Sequence, residues 1–384
     1  MTTDQTLRAR KGGSLARDAR QAARELHAAI AQPAMKLGVF YCSPDYDLDA
    51  LADELHRLFG DAPLIGCTTA GELGPLGYCA GSLSGVSVAG DGFAAVTQRI
   101  DDLRATEIAK CEGVGASLTA RLELGGRRVD SDHAFGFLLI DGLSMREEGV
   151  VSALYRGLGD VQLFGGSAGD GTRFARTRIY HDGAFHDDAA VFTLVHTDHP
   201  FVVFKTQHFV GSDTKMVVTE ADPARRIVTE INGEPAGREY ARLVGLEVDE
   251  LTPLIFSRYP VVVKLGGSYY VRSIQKVNDD GSLTFFCAID EGIVLTVARG
   301  IDLVDDLRTT FADIRAQIGV PELVLGCDCI LRHIELDEKA IKGEAARIYI
   351  DNNVVGFSTY GEQYNAMHVN QTFTGVAIGA RKVA

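Results

Sequence analysis

At 384 residues the chain exceeds one ordinary domain, and its 46% hydrophobic and 23% charged residues supply apolar material for two cores. A formal net charge of -14 opposes nucleic-acid phosphates and anionic lipids, and no basic patch offsets it. Seven cysteines suggest no paired framework and no apolar run is long enough for a bilayer, so the expectation is a reducing, cytoplasmic location without nucleic-acid or membrane partners.

The N-terminal MTTDQTLRARKGG lacks the apolar core of a signal peptide, and residues 1–13 read as a flexible tail ending at Gly12-Gly13. Ser14 can cap a helix on which Leu15, Ala19, Ala22, Leu26 and Ala29 recur at helical spacing. Arg17, Arg20 and Arg24 then form a solvated helix face. MKLGVFYC (35–42) and APLIGCTT (62–69) read as buried strands around a helix carrying Leu48, Leu51, Leu55 and Leu58. That order predicts an α/β arrangement.

Strands are expected at 82–90, 93–100 and 133–141, with helices near 105–122 and 145–158. VQLFGGSAGDG (161–171) leads into a hairpin over 176–195, where Asp182-Gly183 suits a tight primed turn. Around 197–224 the pattern shifts to denser strands, with turns at Asn232-Gly233 and Asp280-Gly281. An amphipathic helix follows on Ile301, Val304, Leu307, Phe311, Ile314 and Ile318, then a buried strand LVLGCDCIL (323–331), helical character in 335–351, and two closing strands. No short internal repeat is visible, which excludes solenoids and propellers. The expected fold is mixed α/β, with two domains of helix-covered mixed sheet: a tail and helix at 1–32, then domains at 33–222 and 223–384.

Three motifs invite chemistry. Gly165-Gly166-Ser167-Ala168-Gly169 matches the G-x-S-x-G elbow, but a hairpin pattern follows where the elbow needs a helix. A serine hydrolase using Ser167 is therefore the weakest reading, and a close-packed glycine turn or an anion cradle competes with it. Cys327 and Cys329 share one strand face, with His333 nearby, but two thiols do not make a zinc site. His208 and His368 each sit among apolar β-forming residues. Each reads either as a hydrogen-bonded core histidine or as a neutral imidazole suited to heme iron.

Five blocks resemble one family. LIGCTTAGELGPLGY (64–78) and LFGGSAGDGTRFARTRIYHDGAF (163–185) resemble signatures of the N-terminal FIST domain. TEINGEPAGREYARLVG (229–245), YYVRSIQKVNDDGSLTFFCAIDEG (269–292) and VVGFSTYGEQ (354–363) with His368 and Asn370-Gln371-Thr372 resemble the C-terminal FIST domain. LVLGCDCILRHIE and GFSTYGEQYNAMHVNQTFTGVAIG resemble the stand-alone NosP-type members most. Val369 separates His368 from Asn370, a departure from the adjacent pair of many FIST proteins.

The resemblance implies a sensory module, not an enzyme, that signals to a histidine kinase or another signalling protein. It further implies heme b and nitric oxide sensing tied to cyclic-di-GMP, with His368 as the first iron-ligand candidate and His208, Cys327, Cys329 and His333 as alternatives. The competing expectation is a sensor of a small metabolite such as an amino acid. Thr68, Thr69, Gly71, Glu72, Gly165, Gly166, Ser167 and Gly169 would then line the pocket and offer backbone N–H groups to a carboxylate.

Overall fold

The computed structural model describes residues 7–265 and 268–381, so residues 1–6 of the expected tail lie outside the described residues. The first stretch holds β1 (Arg8–Ser14), α1 (Ala19–Ile30), β2 (Met35–Cys42), α2 (Leu48–Phe59), β3 (Leu64–Thr68), β4 (Glu72–Gly74), β5 (Gly77–Cys79) and β6 (Leu83–Ala89). The second holds β7 (Phe93–Ile100), α3 (Ile108–Leu124), β8 (Ala134–Ile140), α4 (Glu147–Leu158), β9 (Gln162–Ser167), β10 (Ile179–His181), β11 (Ala184–His186) and β12 (Ala190–Thr197).

The third opens with β13 (Phe201–Thr206) and is then interrupted. The inserted segment contains β14 (Phe209–Asp222), β15 (Ile227–Ile231), β16 (Glu234–Pro235), α5 (Ala236–Val244), α6 (Pro253–Arg258), β17 (Val261–Leu265), β18 (Ser268–Arg272), β19 (Ile274–Val277), β20 (Leu283–Phe285) and β21 (Val294–Gly300). The third unit resumes with α7 (Leu303–Ile318), β22 (Pro321–Cys329), α8 (Ile330–Glu338), α9 (Lys342–Asp351), β23 (Val354–Thr359), β24 (Glu362–Tyr364), β25 (Met367–Val369) and β26 (Phe373–Gly379).

The three units share one topology and exchange hairpins in a cycle. The sheets run β1-β6-β2-β3-β10-β11, β7-β12-β8-β9-β24-β25 and β13-β26-β22-β23-β4-β5. Each unit's hairpin therefore leaves its own sheet and completes a neighbour's. Six backbone hydrogen bonds close the cycle. The amides of Ala70, Gly169 and Tyr360 donate to the carbonyls of Ser358, Thr68 and Ser167, and those of Thr68, Ser167 and Ser358 donate to Arg178, Gly361 and Gly71. This threefold plan is a repeat too long and too unequal for a short-period reading to reveal.

The inner faces of all three sheets meet in one core, to which Val39, Cys67, Phe137, Phe164, Cys327 and Phe357 contribute. Helices cover the outer faces: α1 and α2 on the first sheet, α3 and α4 on the second, α7 and α9 on the third. Strands buried on both faces cannot alternate, which explains continuous apolar runs such as LIGCT. The inserted segment builds a core of its own around Val228, Tyr240, Phe256 and Leu283, and the expected boundary after residue 222 falls inside its sheet. Among the described residues no helix is long and apolar enough to cross a membrane.

Two local expectations are corrected. Residues 8–14 are not a tail: they pair antiparallel with β6, from Arg8 opposite Ala89 to Ser14 opposite Leu83. Gly12 belongs there because a Cβ would collide with Ala29 of α1. The cap of α1 is Asp18, which accepts from the Gln21 amide, while the Ser14 hydroxyl bonds the Glu25 carboxylate instead. The Asp182-Gly183 and Asn232-Gly233 turns do take the positive φ angles their residues favour.

Candidate functional site

Hairpin β24–β25 carries the most unusual chemistry. Glu362 pairs with Gly166 and Gln363 with Gly165, so two residues without side chains admit the hairpin closely. A Cβ on Gly165 would lie 2.9 Å from the Gln363 Oε1, and one on Gly166 3.0 Å from the Cys327 Sγ. Gln363 stands directly opposite His368 across the hairpin. Its Nε2 lies 2.9 Å from the Ser167 Oγ and 3.2 Å from the His368 Nδ1. Ser167 is thus an acceptor of an amide hydrogen at a strand end, followed by a loop rather than the helix of a nucleophile elbow.

The His368 imidazole is 2% exposed, and burial holds its pKa below the usual value. Its Nε2 has no hydrogen-bond partner. The same is true of the Gln363 Oε1, both amide atoms of Asn370, the Gln371 Oε1, the Ser273 Oγ and the Arg272 Nε and Nη1. A buried polar atom without a partner costs roughly 1–3 kcal/mol, so each of these atoms calls for a partner that the protein's own side chains do not supply. Glu147 and Glu148, at the start of α4, act electrostatically on the same imidazole, as do Arg226 and Arg272 of the inserted segment. Arg226 ties these parts together: its Nη2 lies 2.5 Å from Glu147 and 2.6 Å from Glu148, and its Nη1 donates to the Phe286 carbonyl at 2.6 Å. Burial works against the Arg226 charge, but the two carboxylates outweigh it and raise its pKa.

The other iron-ligand candidates are already engaged. His208 has the Glu335 Oε2 2.8 Å from Nε2 and the Arg332 Nη1 2.8 Å from Nδ1, which leaves no free ring nitrogen. Arg332 in turn bonds Asp328, so this is a buried ion-pair network that joins α8 to β22. His333 stacks on Tyr78 with ring centroids 4.3 Å apart, and its Nε2 lies 2.7 Å from the Lys342 Nζ. Burial, then the Lys342 charge, brings its pKa down to about 4. Burial pushes the Cys327 and Cys329 thiols well up. Cys327 packs in the central core and Cys329 against Tyr360 and Phe286, so the shared face is not an open pair of ligands. Among the described residues no group of three or more His, Cys, Asp or Glu is placed to hold a metal ion.

The expected backbone cradle is likewise occupied. Ser167, Ala168, Gly169 and Gly171 donate their amides to Gly361, Ile140, Thr68 and Thr69, and the Asp170 amide donates to the Tyr360 hydroxyl. Thr69 donates to Glu72 at 2.5 Å, and Glu72 also accepts from the Ser82 amide and hydroxyl. Gly71 lies against His333. Thr69, Gly71, Glu72, Gly165, Gly166 and Gly169 therefore hold the hairpin exchange together and offer no free N–H cradle. Thr68 lines a cavity of about 370 Å³ shared with Asp170 and Arg178.

Heme can be tested against these residues. A neutral, desolvated imidazole with a free Nε2 suits iron. Gln363 can support it by turning its amide, so that Oε1 accepts from Nδ1–H. Gly361 crowds Nε2, so a porphyrin requires the hairpin to move aside. Of these residues, sequence reasoning singled out only His368. Gln363, Arg272, Asn370 and Gln371 lay within the quoted family blocks without being assigned a role, and Arg226, Glu147 and Glu148 come from other segments with no local signal.

Among the solved structures that the chain matches, two cover nearly the whole chain with weak similarity. One, titled a cyanuric acid hydrolase from A. caulinodans, has a TM-score of 0.42 and 8% identity, with 98% of this chain and 100% of that chain covered. The other, also titled cyanuric acid hydrolase, has a TM-score of 0.38 and 8% identity, with 97% and 100% covered. The expectation that the chain is not an enzyme is withdrawn, since both of these solved chains are titled as hydrolases; similarity this low assigns no reaction. No curated protein matches the chain. The FIST N domain matches residues 36–234 and the FIST C domain residues 236–365, so the chain belongs to the FIST family.

Proposed function

We propose that this protein is a sensory module that takes up a small polar guest at the His368 cluster and relays the event to a partner protein. FIST domains suggest small-ligand sensing in signalling. The observation that carries the site is the concentration of buried, unpartnered donors and acceptors on Gln363, His368, Asn370, Gln371 and Arg272. A zwitterion of amino-acid size suits them: the Arg272 guanidinium for a carboxylate, and the Asn370 and Gln371 carbonyl oxygens for an ammonium group. The guest would bridge β25, part of one unit, to β18 of the inserted segment, so binding biases their arrangement. A coupling of about 1–3 kcal/mol is enough for a partner to read.

A second reading keeps the same module and changes the guest. Heme b held by His368, with nitric oxide as the stimulus, is favoured by the free Nε2 of a neutral buried imidazole. In either reading the partner is a cytoplasmic histidine kinase or a component of cyclic-di-GMP signalling.

One experiment separates these readings. Purified protein is melted with a panel of L-amino acids, and its visible spectrum is recorded after hemin addition. A raised melting midpoint with an amino acid, lost in Arg272→Ala, supports the first reading. A Soret band that shifts with nitric oxide and is lost in His368→Ala supports the second. Absence of both responses overturns the assignment of the site.

A further inference from the structure

A second cavity lies where the inserted segment meets the second unit. It has a volume of about 340 Å³, within the range of small-molecule sites, and such sites favour domain junctions. Its walls are Leu143 and Met145 from the loop after β8, Phe174 from the loop after β9, and Lys276, Phe285 and Phe286 from the inserted segment. Arg173 and Arg226 complete the cationic side, and no carboxylate lines it among the described residues. This is unusual in a chain with a net charge of -14. Arg226 is committed to Glu147 and Glu148, and Arg173 to Asp45 at 2.7 Å, whereas Lys276 is exposed.

The aromatic side is ordered. The Phe174 ring centroid lies 5.6 Å from that of Phe286 and 4.6 Å from that of Tyr360. Two bulky residues at the rim hold the left-handed backbone: Met145 at φ 58° and Phe174 at φ 51°. Large side chains rarely adopt this conformation, and residues held in it cluster at ligand clamps.

We infer that this junction is a second binding site, for a small aromatic carboxylate. The ring stacks in the Phe174–Phe286 corner and the carboxylate faces Lys276, since Arg173 and Arg226 are already paired with carboxylates. The site is separate from the His368 cluster, and Arg226 stands between the two. Occupancy ties the inserted segment to the second unit and so favours the latched arrangement of Arg226 on α4.

The full chain is titrated by calorimetry with phenylacetate and benzoate, and with phenylacetamide as the neutral isostere. The expected result is binding of the carboxylates, at least tenfold weaker binding of the amide, and at least tenfold weaker carboxylate binding in Lys276→Ala and in Phe174→Ala. Loss of binding in both Lys276→Ala and Phe174→Ala places it at this junction and not at the His368 cluster, whether or not the first reading stands. No carboxylate binding, equal binding of the amide, or unchanged binding in Lys276→Ala overturns the inference.

Discussion

Gly361 lies against the imidazole of His368, so closely that a Cβ there would stand 2.6 Å from Nε2 and 2.9 Å from the Asn370 Nδ2. The glycine also accepts the Ser167 amide through its carbonyl, so its backbone cannot retreat without breaking the cycle between units. Gly361→Ala is therefore expected to cost about 1–3 kcal/mol by overpacking and to displace His368. Urea unfolding with guest titration checks both effects, and wild-type values in both would refute the packing argument.

His208 and His368 are expected to separate stability from binding. Removing His208 leaves Arg332 and Glu335 partly unpaired in the interior, at a cost of about 2–4 kcal/mol for His208→Leu. His368 has a ring nitrogen with no partner, so His368→Leu should change stability by less than about 1 kcal/mol while abolishing guest uptake. Equal destabilisation by the two substitutions would count against this division.

Arg226 bridges two carboxylates at the start of α4, and Glu147 is 1% exposed. Arg226→Met strands a buried charge and is expected to destabilise by about 3–5 kcal/mol. The inserted segment should also become more sensitive to limited proteolysis than the three-sheet core. Cleavage spread evenly over the chain would be the wrong outcome.

Two buried carboxyls make stability depend on pH. Burial raises the Glu362 pKa to about 8 and that of Glu72 to about 7, from an ordinary 4.5, against hydrogen bonds from Thr359 and Thr372 to the first and from Ser82 and Thr69 to the second. Folded protein then binds protons that unfolded chain has lost. The contribution is full below about pH 4.5 and disappears as pH rises through about 7 to 8. Each proton gives a slope of at most about 1.4 kcal/mol per pH unit. Glu362→Gln stays neutral, so its melting midpoint should fall less steeply between pH 5 and 8 than the wild type, and parallel curves would exclude the effect.

The hairpin exchange predicts one unfolding unit across the two family segments. β4 pairs with β23 through Leu73 and Gly356, and β24 with β9 through Glu362 and Gly166. A fragment ending at residue 234 lacks the strands that receive one hairpin and supply the other. It should be unfolded alone by circular dichroism and regain structure when mixed with the remaining fragment. A cooperative melt of the isolated fragment would contradict this.

What local sequence encodes was legible where local physics decides. Buried runs such as LIGCT, the helical spacing of Leu307, Phe311 and Ile314, and turns such as Asn232-Gly233 follow from periodicity and backbone preference. The five family blocks were also readable, and the family matches over residues 36–365. The strand at 8–14 was not, because Gly12-Gly13 reads as loop until α1 and β6 press on it.

The amino-acid sequence by itself determined the elements, the family and one histidine worth asking about. Only the tertiary structure decided that hairpins cross between sheets, that His208 is satisfied while His368 is not, and that Arg226 latches a segment to α4. Each of these depends on which distant strands meet. Hydrogen-bond satisfaction is a property of the assembled neighbourhood, and no spacing along the chain records it.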